Sequence, residues 1–280
     1  MNPRRLYRSV WLVVLGLTCY LGGAYAFQKE FREFPGETYV ALGPHSLDPA
    51  EFVFGQLMYP DGGGFGGFRR GRFRGDWRSG NGNWTNDYPA SSRHLMMAVN
   101  RLTLIDGRGA EQPVNLEDGD DVYNWPFLYA ARATSIDLND EMLDRLRDYL
   151  NRGGFLVADD MWGASEHQAI FDTVERLYPD RELVELGDND AVMHMLFDLN
   201  DRYQILGQWA RFTHRPLDGV SYDAHWRGVF DEKGRMVIAV WLNSDTGDSW
   251  EWADDPTYPE AWSALGFRIV LNHIVYAMTH

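Results

Sequence analysis

Cysteine is almost absent from this 280-residue chain, which holds only Cys19. One thiol excludes a disulfide framework and any cysteine-rich zinc module. Lysine is nearly as scarce: with only Lys29 and Lys233, almost all the positive charge is guanidinium. Basic residues are also few beside acids, 26 against 41, for a formal charge of -15. That balance excludes a general nucleic-acid-binding surface, which needs clustered Lys and Arg to neutralise phosphates. No internal repeat is visible, and no linker divides residues 51–280. What is present suffices for a core. An apolar fraction of 45% and an aromatic fraction of 14% exclude global disorder, and the length suits one large domain or two small ones.

The first 26 residues have the order of an export signal. Arg4, Arg5 and Arg8 precede an uncharged apolar run from Val10 to Leu21, and Gly22-Gly23-Ala24-Tyr25-Ala26 ends in an Ala-x-Ala site. This predicts a secretory signal peptide cleaved after Ala26. The alternative is an uncleaved anchor helix, since Val10–Ala26 is slightly short for a span of about 20 residues. In either case the arginines stay cytoplasmic and the remainder is exported, periplasmic or anchored to the inner membrane facing the periplasm. Gly16-Leu17-Thr18 before Cys19 is a poor lipobox, and Leu6-Tyr7-Arg8 makes the twin-arginine match partial. Removing residues 1–26 removes three arginines and no acids, so the charge becomes -18, and it removes the one thiol.

Residues 27–50 have little periodicity and are expected to be a linker, followed by a single domain over 51–280. Glu51–Tyr59 suggests a strand. Asp61–Asn83 holds nine glycines, five arginines and four aromatics, and is expected to be a long irregular loop. Leu95, Met96, Val99 and Leu102 give helical spacing over Ala90–Thr103, and Trp125–Ala130 is a short apolar strand candidate. Asn139 is a candidate N-cap for a helix striped by Leu143, Leu146 and Leu150 and closed by Gly153-Gly154. Phe155–Ala158 follows as a buried strand ending in Asp159-Asp160. Ser165 and Gln168 have capping-box spacing for the next helix, with Ile170, Phe171, Val174 and Leu177 on one face. Val237–Leu242 is another buried strand, and Ala261–Thr279 a closing helix with Trp262, Leu265, Ile269, Ile274 and Met278 inward. Buried strands alternating with helices predict an α/β fold, a mainly parallel sheet with helices on both faces.

Several constellations bear on chemistry. The glycines at 62–67 satisfy G-x-G-x-x-G but run into Phe68-Arg69-Arg70-Gly71-Arg72 rather than a helix, so the dinucleotide reading fails. That loop instead offers guanidinium and aromatic groups to an anionic envelope surface or an acidic neighbour, or is simply solvated. Asp159-Asp160 ends a buried strand, and ligands of open α/β sheets bind outside strand carboxyl ends. Two adjacent carboxylates repel, so at least one must be paired, protonated or metal-bound. The structural alternative is that one caps a helix or meets an arginine such as Arg132. Gly163-x-Ser165-x-His167 approaches a nucleophile elbow, but its last position is His and Ser165 lies too far beyond the strand. His194 sits in an apolar stretch, as a core histidine or, with Asp159 and Asp160, a ligand for a hard or borderline divalent metal. Asn243-Ser244-Asp245-Thr246-Gly247-Asp248-Ser249-Trp250-Glu251-Trp252 follows a buried strand without EF-hand spacing. Its tryptophans are candidates to stack on sugar rings while the carboxylates accept hydroxyl bonds. Asp87 and Tyr88, before the first helix, join the same expected rim, with Asp87 otherwise an N-cap. The candidate crevice is therefore Asp87, Tyr88, Asp159, Asp160, Trp162, Asn243, Asp245, Asp248 and Trp250.

Trp84-x-x-Asp87-Tyr88-Pro89, Tyr123-Asn124-Trp125-Pro126-Phe127-Leu128-Tyr129, Arg152-Gly153-Gly154-Phe155-Leu156-Val157-Ala158-Asp159-Asp160-Met161-Trp162-Gly163, Asn243-Ser244-Asp245-Thr246-Gly247-Asp248 and Asn272-His273-Ile274-Val275-Tyr276-Ala277-x-x-His280 together resemble the bacterial family called domain of unknown function 4159. The resemblance spans about residues 51–280. It implies a flavodoxin-like three-layer sandwich, grouped with class I glutamine amidotransferase-like and trehalose-utilisation (ThuA)-like domains, in proteins often exported or membrane-attached. Amidotransferases carry a catalytic cysteine at the strand-end turn. Here that turn is Asp159-Asp160-Met161-Trp162-Gly163, and no cysteine follows residue 26, so glutaminase chemistry is excluded. The ThuA-like kinship implies carbohydrate, alongside an envelope protein, as the partner class. Where the family pattern has a His-Pro pair ahead of the position of His194, this chain has Asp190-Ala191, and Gln56 stands where an arginine is common. Three functions follow as expectations: a ligand- or partner-binding module without thiol chemistry, a metal-assisted hydrolase of a glycan or ester with a metal-bound water, and a scaffold with a vestigial crevice.

Overall fold

The apolar runs expected as buried strands pair into one sheet. The computed structural model describes residues 28–62, 75–208 and 223–280, so the expected signal segment and the arginines at 69, 70, 72 and 74 lie outside the described residues. The strands are β1 (Phe54–Met58), β2 (Gln112–Asn115), β3 (Phe127–Ala130), β4 (Phe155–Met161), β5 (Leu183–Glu185), β6 (His225–Phe230) and β7 (Met236–Leu242). Their order is β2-β1-β3-β4-β7-β6-β5. The pairs from β2 to β7 are parallel, and β6 and β5 add an antiparallel edge. β2, β5 and β6 were not expected. β2 and β5 are only four and three residues long, and β6 (HWRGVF) mixes charge with apolar residues instead of forming a run.

Alternation along the central strands fills two cores. Leu128, Ala130, Leu156, Ala158, Ile238 and Val240 face one side, with α2 (Asp140–Asn151) and α3 (Gly163–Leu177) packed over them. Phe127, Tyr129, Phe155, Val157, Ala239 and Trp241 face the other, under α1 (Ala90–Leu102) and α5 (Glu260–Thr279). The fold is thus α/β, a mixed seven-stranded sheet with helices on both faces. Each fully buried Leu or Phe contributes about 1.5–3 kcal/mol of transfer free energy, and this holds both layers on the sheet.

Helix boundaries follow local chemistry. Asn139 caps α2, its Oδ1 accepting from the Met142 N–H at 2.9 Å, while Gly153 at φ 114 ends the turn beyond it. The Ser165–Gln168 capping box does not form. α3 begins earlier, at Gly163, and Glu166 takes the Trp162 N–H at 2.8 Å, while Gln168 donates to Asp172. Leu102 (54% exposed) and Met278 (37%) lie outward despite their periodic spacing, both in the last turn of their helix.

Residues 28–50, expected as a linker, are irregular yet pinned to the body. Phe34 packs edge-on against Trp84, Lys29 meets Asp118 and Asp121, and Arg93 joins Glu33 to the fully buried Glu111. Asp61 closes the base of the glycine-rich insertion by accepting the Asn83 N–H.

α5 runs nearly through the core and so carries polar groups inward. Asn272 satisfies its whole amide, accepting from the Leu196 and Phe197 N–H groups and donating to the carbonyls of Val192 and Phe197. His273 is wholly buried, with Nδ1 2.8 Å from the Ile269 carbonyl and its ring 5.0 Å from Trp241. Burial pushes its pKa down to about 4. The unfolded imidazole takes its proton near about pH 6.5, so between those values the unfolded state binds more protons and acid weakens the fold. Relative to His273→Phe, wild-type unfolding free energy is expected to fall by about 2 kcal/mol between about pH 7.5 and about pH 5, measured by urea titration.

Candidate functional site

Parallel strands deliver their carboxyl ends to one edge of the sheet, and the strand order reverses between β1 and β3. Among the described residues, four non-glycine residues have left-handed backbone, Asp160 (φ 58) near the end of β4 and Asp87 (φ 61), Arg132 (φ 44) and Asn243 (φ 54) just beyond strands or before a helix. Such residues each cost about 1–3 kcal/mol and persist where surrounding structure over-determines them. The β4–β7 pairing shifts register between Ala158 and Met161, around Asp160, and the pleat of β4 sends the adjacent carboxyls to opposite sides.

Asp159 turns into the sheet edge. It accepts from the Tyr129 hydroxyl (2.8 Å), the Thr246 hydroxyl (2.8 Å) and the Gly247 N–H (2.9 Å). These bonds fasten β3 and β4 to the first turn of α4 (Thr246–Glu251). Asp160 turns toward the rim, where Trp162 Nε1 donates to Oδ1 at 2.7 Å and Arg132 Nη1 lies 3.6 Å from Oδ2. The arginine pairing weighed for this doublet is therefore present on Asp160, and Asp159 anchors a helix. Asn243 gathers three segments: Oδ1 accepts from the Gly163 N–H and from His167 Nε2, both of α3, Nδ2 donates to the Asp223 carbonyl, and its N–H reaches Met161.

A second set of acids lies behind this rim. Asp87, Asp245 and Asp248 are all buried, each offering an oxygen within 4.8 Å of the others. Among the described residues this is the one group of three with metal-ligating spacing. Asn86 Nδ2 donates to Asp87 Oδ1 (2.6 Å), and the Asp248 N–H donates to Asp245 Oδ1 (3.0 Å), which makes Asp245 the N-cap of α4. The Gln208 N–H donates to Asp248 Oδ2. Burial, then the neighbouring acids, holds the Asp87 and Asp245 carboxyls well above the usual range. Burial raises Asp159 to about 7, with Asp160 adding to the effect, and Glu251 to about 9, with Asp248 adding to it. Arg132 goes up instead, chiefly because Asp160 stabilises its charge.

Three expectations need correction. His194 is neither a core histidine nor convergent with Asp159 and Asp160 on a metal. It is exposed in the short turn Ala191–His194, with Nδ1 at Asp198 and Nε2 at the Asp188 carbonyl, because the amide of Asn272 holds that segment with Val192 and Met193 inward. Trp250 is no stacking platform: it is fully buried between Tyr129 and Trp241. Tyr88 is likewise buried, against Trp84, with its hydroxyl accepting the Phe34 N–H. Sequence reasoning missed Arg132 as a rim residue in its own right, and also Tyr129, Glu166, His167 and Gln208. The Arg132 backbone carries no local signal, whereas Glu166 could have been found as the acid one turn into α3.

A family model described as Domain of unknown function (DUF4159) matches residues 75–278. The chain belongs to this family. The match takes in β2 to β7 and every carboxyl of both sets, while β1 and residues 28–62 precede it. No curated protein matches the chain.

In this DUF4159 domain Gly247 lies where no side chain fits: a Cβ would stand 2.2 Å from Asp87 Oδ2 and 2.5 Å from the Tyr129 hydroxyl. Gly247→Ala is expected to destabilise by about 2 kcal/mol in a denaturant titration, through overpacking. Asp159 gives a pH test of opposite sign to His273. Its folded carboxyl keeps a proton to about pH 7, the unfolded one only to about pH 4, so its contribution to stability falls as pH rises between them. Against Asp159→Asn, wild type is expected to lose ground from about pH 5 to about pH 8.

Proposed function

We propose that this domain is an exported binding module that takes a hydroxyl-rich, carbohydrate-class ligand at the carboxyl edge of its sheet, without thiol chemistry. The observation that carries this reading is a rim of half-buried Trp162, Arg132 and Glu166 set around the buried Asp160. An indole face, a guanidinium donor and two carboxyl acceptors suit a saccharide, whose ring offers an apolar face and several hydroxyls. Arg132 retains 30% of its side-chain exposure, which leaves donors for a ligand beyond Asp160. The DUF4159 match and the helices on both sheet faces support placing the domain in the flavodoxin-like, amidotransferase-like superfamily. The turn that carries the nucleophile there is an acid pair in this chain.

Export rests on the order Arg4, Arg5, Arg8, apolar run and Ala24-Tyr25-Ala26. Among the described residues no helix is long and apolar enough to cross a membrane. N-terminal sequencing of the protein from an envelope fraction is expected to begin at Phe27; intact Met1 in soluble protein would count against export.

Binding is tested by tryptophan fluorescence and calorimetry with neutral glucans, amino-sugar polymers and uronate polymers. One class is expected to bind, and Trp162→Ala to weaken it at least about tenfold, about 1.4 kcal/mol, with an unchanged melting temperature. If no class binds at millimolar concentration, or Trp162→Ala binds equally, the rim is not a carbohydrate site.

A further inference from the structure

We propose that Asp87, Asp245 and Asp248 form a binding site for one hard divalent cation of the calcium, magnesium or manganese type. The site lies behind the carbohydrate rim and does not depend on that reading. Three carboxylates on one ion of this kind, at metal–oxygen distances of about 2.0–2.6 Å, must place their ligating oxygens within about 5 Å of one another. The three acids meet that condition at 4.8 Å.

Proximity of acids alone would not make a site. The independent observation is Asp87 Oδ2, a buried carboxyl oxygen on a side chain 1% exposed that takes no hydrogen bond from any donor among the described residues. A buried acceptor left without a partner is costly to the fold, and a cation would satisfy it. The other oxygens are already arranged. Asn86 holds Asp87 Oδ1, the Asp248 N–H holds Asp245 Oδ1, and the Gln208 N–H holds Asp248 Oδ2. Each carboxyl is oriented by one donor on one oxygen, which is how outer-shell groups present ligands to a metal.

Charge points the same way. Glu251, 1% exposed, lies against Asp248, and Asp159 and Asp160 are close enough to act on Asp245. The Arg132 guanidinium, which feels the charge of Asp245, is engaged by Asp160. All donors are oxygens, and no histidine or cysteine belongs to the group. Softer metals favour nitrogen and sulfur, which sets the class of ion. Gly247 completes the site by carrying no Cβ, which would otherwise occupy the space beside Asp87 Oδ2.

The test uses the full chain stripped with chelator. Calcium, magnesium and manganese are titrated singly by calorimetry, and terbium luminescence is read with excitation of Trp250 and Tyr129, whose tilted rings lie 5.3 Å apart. At least one ion is expected to bind once per chain, raise the melting temperature and displace terbium. Asp245→Asn and Asp248→Asn, close in shape to the acids they replace, are expected to lower affinity at least tenfold while the metal-free proteins still melt cooperatively. Trp162→Ala should bind the ion as wild type does, so failure of the rim reading leaves this result intact. The proposal is overturned if no ion binds at millimolar concentration, or if wild type and both Asn variants bind alike. If the Asn variants do not fold, wild-type stoichiometry and terbium displacement decide the matter.

Discussion

Asp159 is the constraint on which the carboxyl edge depends. Its two oxygens accept from a strand neighbour, Tyr129, and from the hydroxyl and amide of the turn after β7. Buried without those partners, the group would cost several kcal/mol. With them, it fixes the start of α4 against β3 and β4. Everything chemically notable nearby follows from that placement: Asp245 and Asp248 come to Asp87, Gly247 must lack a side chain, and Trp250 is driven into the core.

A second restraint comes from the far side. The segment before β1 crosses the same region, with the Glu37 N–H on the Tyr88 carbonyl and Thr38 bridging Pro89. Arg93 ties this segment to α1 through Glu33, the Val40 carbonyl and Glu111. Asp87 is thereby held from two directions in a left-handed conformation, which a local sequence preference would not maintain by itself. Stiffness around the acids keeps them together, and the raised pKa values of Asp87, Asp245 and Glu251 are the consequence.

The central strands β3, β4 and β7, the cap at Asn139 and the helix after it were legible because each depends on short-range pattern: an apolar run, a side-chain acceptor before a stripe, glycine after it. The edge strands were not, since β2, β5 and β6 are held by pairing rather than by an apolar run. Among site residues, the prominence of Asp159-Asp160 and of the Asp245–Asp248 turn was legible from their position after buried strands. The partition among them was not. Asp159 and Asp160 face opposite ways by the pleat of β4, but that one meets the start of α4 and the other Arg132 depends on neighbours brought by the sheet. His194 misled because an apolar neighbourhood in sequence says nothing about which side of a short turn faces water.

Composition, by itself, determined the broad class of this protein: an acidic α/β domain, thiol-free beyond its first 26 residues, whose strands end in acids. Those features are local or additive, so they can be read residue by residue. Tertiary structure alone decided which acids meet. Bringing Asp87 to Asp245, across more than half of the chain, requires the strands to pair in one particular order, and that order is set by the packing of two cores that no single segment encodes.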